Sequence, residues 1–149
     1  MPQQNLSAAN EAYRRQKILT ASPIELIVLL YDGLHKDIAI AQLSISKGQN
    51  ETAHKKLINA QAIVTELINS LNLDFAIAQD LLPLYEFLLR SLIEVNSSKD
   101  AKVLPDLLEI VDDLRATWVD VADSTRKAIP ISELKKAGEH SLMSAFQAA

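Results

Sequence analysis

Apolar residues recur along this chain in alternating steps of three and four, the spacing of a helix with one buried stripe. The first strong run opens at Ser22-Pro23-Ile24-Glu25. A serine cap, proline at the first helical position and glutamate three residues after the serine together make a capping box. Its stripe is Ile24, Ile27, Tyr31, Leu34, Ile38, Ala41 and Ile45, ending at Lys47-Gly48. A second helix is expected after an Asn50 cap, with Ala53, Leu57, Ala60, Val64, Leu67 and Leu71, ending near Asn72. The third carries Leu81, Tyr85, Leu88, Leu92 and Val95, and Pro83 inside it predicts a kink or a late start, because its ring clashes with the carbonyl four residues back. The fourth carries Leu104, Leu107, Val111, Leu114, Trp118 and Val121, with Pro105 tolerable near its start. The linkers near Gly48, Leu73-Asp74 and Ser97-Ser98 are short, so consecutive helices should run antiparallel. The pattern therefore predicts one all-α domain over residues 1–149, an antiparallel up-down four-helix bundle over 22–127 with a short amino-terminal arm over 1–20 and an extra carboxy-terminal helix over 131–147.

Four helices alone do not account for all the apolar residues. A bundle helix needs about three apolar positions in seven, yet Leu26 to Tyr31 is an unbroken apolar run. Second stripes follow on the later helices, with Leu84, Phe87, Leu89 and Ile93 on one and Val103, Leu108, Ile110 and Val119 on the other. A wide stripe by itself can mark only a deeply buried helix. Several together predict a groove for a guest segment, with Leu26, Leu30, Leu84, Phe87, Leu108 and Val119 as the candidate contacts. The arm has Leu6, Ala9 and Tyr13 at helical spacing with Arg14, Arg15 and Lys17 behind them, a stripe too narrow for a fifth core helix. It reads either as a latch over the groove or as a frayed tail. The carboxy-terminal piece, with Leu134, Leu142, Met143 and Phe146 interrupted by Gly138, has the same two readings.

Composition narrows the functional classes. Three glycines and five prolines in 149 residues suit long helices rather than strands, and the absence of cysteine removes disulfides and thiol-based metal or redox sites and fits a reducing cytoplasm. The amino terminus from Met1 to Ser7 is polar and no stretch approaches the roughly 18 apolar residues of a membrane span, so no membrane insertion is expected. A formal charge of −4 argues against general nucleic-acid binding, which leaves protein as the expected partner. His35, His54 and His140 stand apart and form no HExxH or ExxH arrangement, so no metal is expected. Ser132-Glu133-Leu134-Lys135 matches SxxK, but Ser44-Ile45-Ser46-Lys47 does too, and a pattern that recurs so easily specifies no nucleophile. Asp112-Asp113 reads as a solvated face. Neither a catalytic residue nor a cofactor is expected. The alternative from another class is a helical adaptor or histidine phosphotransfer bundle with His54 as the carrier, although the helix continues with Leu57-Ile58-Asn59 rather than the small residue a phosphate needs nearby. A weak homodimer through the excess apolar surface is a third reading.

Ala12-Tyr13, then Thr20-Ala21-Ser22-Pro23, Leu26-Ile27 and Leu30-Tyr31-Asp32-Gly33 closely resemble the opening signature of the flagellin-specific export chaperones, the FliS family. Leu81, Leu84-Tyr85, Phe87, Arg90, Leu92 and Asn96 resemble that family's third helix, and Leu114-Arg115 with Trp118 its fourth, so the likeness runs over residues 12–122. The resemblance implies a cytoplasmic (cytosolic) antiparallel helical bundle that binds the disordered carboxy-terminal segment of flagellin, prevents premature polymerisation and helps present it to the export gate of the flagellar secretion apparatus, without ATP or metal. It makes Leu6 and Tyr13 latch and export-gate candidates. Ser22, Pro23, Tyr31, Asp32, Gly33, Tyr85 and Trp118 read as structural parts of the signature: cap, helix start, core, and a small residue that lets a neighbouring helix come close. Two departures stand out. The link Leu73-Asp74-Phe75-Ala76-Ile77 lacks the Gly-Gly often found there, with Pro83 where a helix former is usual, and Asn10 is polar where the family can carry an apolar residue.

Overall fold

The computed structural model describes residues 2–127, with side chains from 8 to 124, and within them every regular element is a helix. They are α1 (Pro2–Thr20), α2 (Pro23–Ser46), α3 (Asn50–Asn69), α4 (Ala76–Ser98) and α5 (Leu104–Lys127). The expected carboxy-terminal helix over 131–147 lies outside the described residues.

The ends follow from local chemistry. At the start of α2 the Glu25 backbone N–H donates to Ser22 Oγ at 3.2 Å and the Ser22 N–H donates to Glu25 Oε2 at 3.4 Å, the reciprocal capping box, with Pro23 at the first turn. At its other end Gly48 takes a φ of 72°, open to glycine without strain, so that the Gln49 N–H reaches back to the Ser44 carbonyl at 2.8 Å. The α3 boundary differs by one residue from the sequence reading. Asn50 is already helical and Gln49 occupies the cap with no side-chain hydrogen bond, and α3 stops at Asn69 rather than near Asn72. Leu71 is nevertheless buried, carried into the core by the turn. The late start expected at Pro83 does not occur, since α4 begins at Ala76 and runs through the proline. Pro83 sits on the exposed side, where the carbonyl it leaves unpaired can bond water.

The stripes read from the sequence become the core. Tyr31, Leu34, Ile38, Leu57, Val64, Leu67, Tyr85, Leu88, Leu92, Leu104 and Leu107 are sealed from solvent, and Ile45, Leu114 and Val121 pack against them from the edge. Close backbone approach joins α2 with α3, α2 with α5, and α3 with α4. Cross-pairs fix the direction of two of these contacts. Asp32 meets Arg115 and His35 meets Asp112, while Gly33 faces Ile63 and Asp37 feels Lys56, so positions ascending along α2 meet positions descending along its neighbours. Gly33 is the small residue of the signature: a Cβ there would lie 3.3 Å from the Ile63 Cδ1 atom, tighter than ordinary contact.

At the centre three elements share one hydroxyl. Tyr31 and Tyr85, both with no solvent exposure, are hydrogen-bonded through their hydroxyls, and the Trp118 ring N–H donates to Tyr31 as well. Burial pushes the Tyr31 phenol from 10.0 up to about 12, and burial together with its tyrosine neighbour pushes Tyr85 up too.

Because the Tyr31 hydroxyl bonds two partners, Tyr31→Phe is expected to cost about 2–3 kcal/mol in urea unfolding and Tyr85→Phe about 1 kcal/mol. The double variant should cost less than the sum. Folded-state phenol values above the unfolded ones mean stability that is complete below pH 10 and lost as pH rises towards about 12. In an alkaline titration, tyrosinate absorbance from these two rings should therefore rise together with the loss of helical signal.

Candidate functional site

The flanks of each helix decide what surface is left. On α2, Asp32 and His35 mark the side facing α5, while Gly33 and Asp37 mark the side facing α3. Leu26 and Leu30 fall in step with Gly33 and Asp37, on the α3 flank. On α5, Asp112 and Arg115 mark the side facing α2, and Leu108 and Val119 fall in step with them. On α4, the Asn96 amide oxygen lies 3.1 Å from His54 Nδ1 and marks the side facing α3. Leu84 and Phe87, one turn apart, fall on the opposite flank, towards α5.

That flank is where the backbones approach least closely. Among the described residues α4 and α5 do not come as close as the other three neighbouring pairs. One lip of the resulting seam carries Leu84 and Phe87, 39% and 40% exposed. The other lip is α5, where Val103, Ile110, Leu114 and Val121 lie on the side away from α2, all partly buried against the core. Leu84 and Phe87, left partly in water, form a surface that a further apolar segment can cover.

The six contacts named from the sequence are thus distributed over three places. Leu84 and Phe87 border the α4–α5 seam. Leu26 is exposed on the α3 flank of α2, and Leu30 beside it packs partly on the core. Val119 lines a groove of about 260 Å3 between α2, α5 and the end of α1, together with Val28, Leu29 and Lys17, while Leu108, on the same flank of α5, packs partly on the core. The apolar run from Leu26 to Tyr31 is explained by this geometry: Ile27 and Tyr31 enter the core, and the others spread over both flanks and the outer face. Leu114 and Val121, read from the stripe as core, pack against the core from its edge and stay partly buried.

The arm is a helix with every described side chain exposed. Tyr13 is 68% exposed, and the α1 residues that line the neighbouring groove are Arg14, Lys17 and Ile18. The Leu6 side chain lies outside the described region. His35 Nδ1 sits 2.7 Å from Asp112 Oδ1 across α2 and α5, which ties the acidic Asp112-Asp113 pair into the fold at one point. Among the described residues no cluster of His, Asp or Glu could hold a metal ion, and no helix is long and apolar enough to cross a membrane.

Comparison with known proteins gives the chain's relatives. The family model described as flagellar protein FliS matches residues 5–125. A flagellar secretion chaperone FliS of Bacillus subtilis (strain 168) is 32% identical over 116 residues, covering 78% of this chain and 87% of that protein. The proteins of the same name in Vibrio cholerae and Salmonella typhimurium are 23% identical (72% of this chain, 84% of that protein) and 25% identical (70% and 80%).

If the seam is surface rather than core, truncation separates its residues from their buried neighbours. Leu84→Ala and Phe87→Ala should each lower stability by under about 1.5 kcal/mol in urea unfolding, whereas Leu88→Ala, fully buried one position on, should cost about 2–5 kcal/mol.

Proposed function

The chain belongs to the FliS family of flagellar secretion chaperones, which are not enzymes, and from that membership we propose that it binds the disordered carboxy-terminal segment of flagellin in apolar grooves, prevents its premature polymerisation and aids its delivery to the flagellar secretion apparatus. What supports this reading is the pair of partly exposed apolar side chains, Leu84 and Phe87, on a flank of α4 without close backbone approach to α5. A segment that is helical only once packed needs an apolar host in the meantime, and an amphipathic helix laid along a groove supplies the missing contacts.

Magnitudes set the form of the complex. Full burial of a leucine or phenylalanine contributes about 1.5–3 kcal/mol, and side chains already more than half covered have roughly 1 kcal/mol left to give. Ordering a disordered segment costs several kcal/mol. A single short contact therefore fails to bind, and the client must spread over several places at once. The separation of the α4–α5 seam, the α2–α5 groove at Val119 and the exposed Leu26 suits a guest that wraps the host. We read α2 to α5 as the antiparallel up-down four-helix bundle expected for such a host, a reading supported by the opposed order of the α2 cross-pairs. The exposed Tyr13 on α1 is the position from which the arm meets the export gate, with Leu6 beside it on the same helix, and the place of action is the cytosol.

The test is calorimetric titration of the full chain with a peptide covering about the last forty residues of the flagellin from the same organism, long enough as helix to run roughly 60 Å. Saturable 1:1 binding with a large negative heat-capacity change is expected. Leu84→Asp with Phe87→Asp, in a variant of unchanged helicity, should weaken it at least tenfold. Unchanged affinity in that folded variant would remove the seam from the client site, and no heat with the unaltered chain would remove flagellin as the client.

A further inference from the structure

A second groove, of about 450 Å3, lies apart from the α4–α5 seam, walled by α1, α2 and α3. Its charge runs against that of the molecule. The chain as a whole carries −4, yet this groove gathers Arg14 and Lys17 from α1, Lys36 from α2 and Lys56 from α3. Only two carboxylates share it, and Asp32 is already paired with Arg115. None of the four cations has an ion pair within 4 Å among the described residues. Asp37 sits near Lys56 and Lys36, and burial raises its carboxyl pKa in spite of both lysines. Between the cations lie Ile18, 54% exposed, and Leu29, half-buried.

Three elements contribute these cations, and only the tertiary structure brings them to one place. Like charges drawn together repel, so the arrangement lowers the stability of the free molecule slightly and favours an anionic occupant. We propose that this groove docks an acidic amphipathic segment of a partner protein, its carboxylates over Arg14, Lys36 and Lys56 and its apolar residues on Ile18 and Leu29. A peptide fits better than a nucleic acid here. Carboxylates spaced three or four apart on a helix alternate with apolar residues as the groove alternates cations with Ile18 and Leu29. The groove adjoins the one at Val119, sharing Lys17, Leu29 and Asp32 with it, while Arg14, Lys36 and Lys56 belong to the basic groove alone.

The measurement is fluorescence anisotropy of the full chain with a labelled peptide of repeated Glu-Ala-Leu-Glu, beside the same peptide with Lys for Glu and a single-stranded deoxyoligonucleotide. Saturable binding of the acidic peptide alone is expected, falling as salt shortens the Debye length below about 10 Å. Lys36→Glu with Lys56→Gln, at unchanged helicity, should weaken it at least tenfold while leaving the affinity for the flagellin peptide within twofold. Equal binding of the lysine peptide, or an unchanged affinity in the variant, overturns the proposal. So does tighter binding of the oligonucleotide, or self-association in light scattering that the same variant abolishes, which would give the groove to a second copy. Binding that appears only when Glu133→Gln and Glu139→Gln are introduced would assign it to the chain's own carboxy-terminal segment and overturn it equally.

Discussion

The hydroxyl of Tyr31 is the point on which the packing of this molecule turns. A phenol without exposure to solvent must find partners inside, and leaving it unpaired costs about as much as one or two well-packed methylenes contribute. Tyr85 from α4 and Trp118 from α5 both meet it, so a single atom of α2 sets the rotation of two other helices. Leucine contacts tolerate sliding, whereas a hydrogen bond does not, because its energy falls off steeply with distance and angle. The apolar stripes supply most of the stabilisation; the shared hydroxyl selects one register among the many that those stripes would accept.

With the inner face of α2 committed to that register, its flanks acquire different chemistry. The α5 flank carries two polar contacts, Asp32 with Arg115 and His35 with Asp112. Both are partly exposed, and exposed pairs of this kind contribute at most about 1 kcal/mol, so they orient α5 more than they hold it. The α3 flank instead depends on a close approach, with Gly33 giving the Ile63 side chain room. The result is an uneven assembly in which α2 is held tightly on both sides and α4 and α5 are left less closely joined to each other.

That unevenness suits a host. A protein that must take up a long apolar guest needs surface that is apolar enough to bind and dispersed enough to keep copies from associating. Leu84, Phe87 and Leu26 are each a little more than a third exposed rather than fully presented, which limits what any one of them offers a second molecule. The basic groove under α1 adds a surface of opposite character. One small chain thus presents two surfaces of different chemistry, partly exposed apolar flanks and a basic groove.

Much of this was legible in the sequence, because its signals are local. The capping box at Ser22 and Glu25, the stop at Gly48 and the buried stripe through Tyr31, Leu57, Leu88 and Leu107 depend on neighbours within a turn or two, and a helix period reports them directly. The signature from Ala12 to Trp118 placed the chain in its family before any contact was known. The surplus of apolar residues was also visible as a count, without its position. What the sequence could not supply was which flank each surplus residue takes. Leu26 and Val119 read alike yet lie on different sides of α2, and Leu114 lies at the edge of the core rather than sealed within it. Nor does any spacing relate Arg14, Lys36 and Lys56, which lie on three elements. Periodicity gives an angle about one helix axis, but a groove is a relation between axes, and those are set by side chains such as Tyr31 and Tyr85 that meet only after the chain has folded.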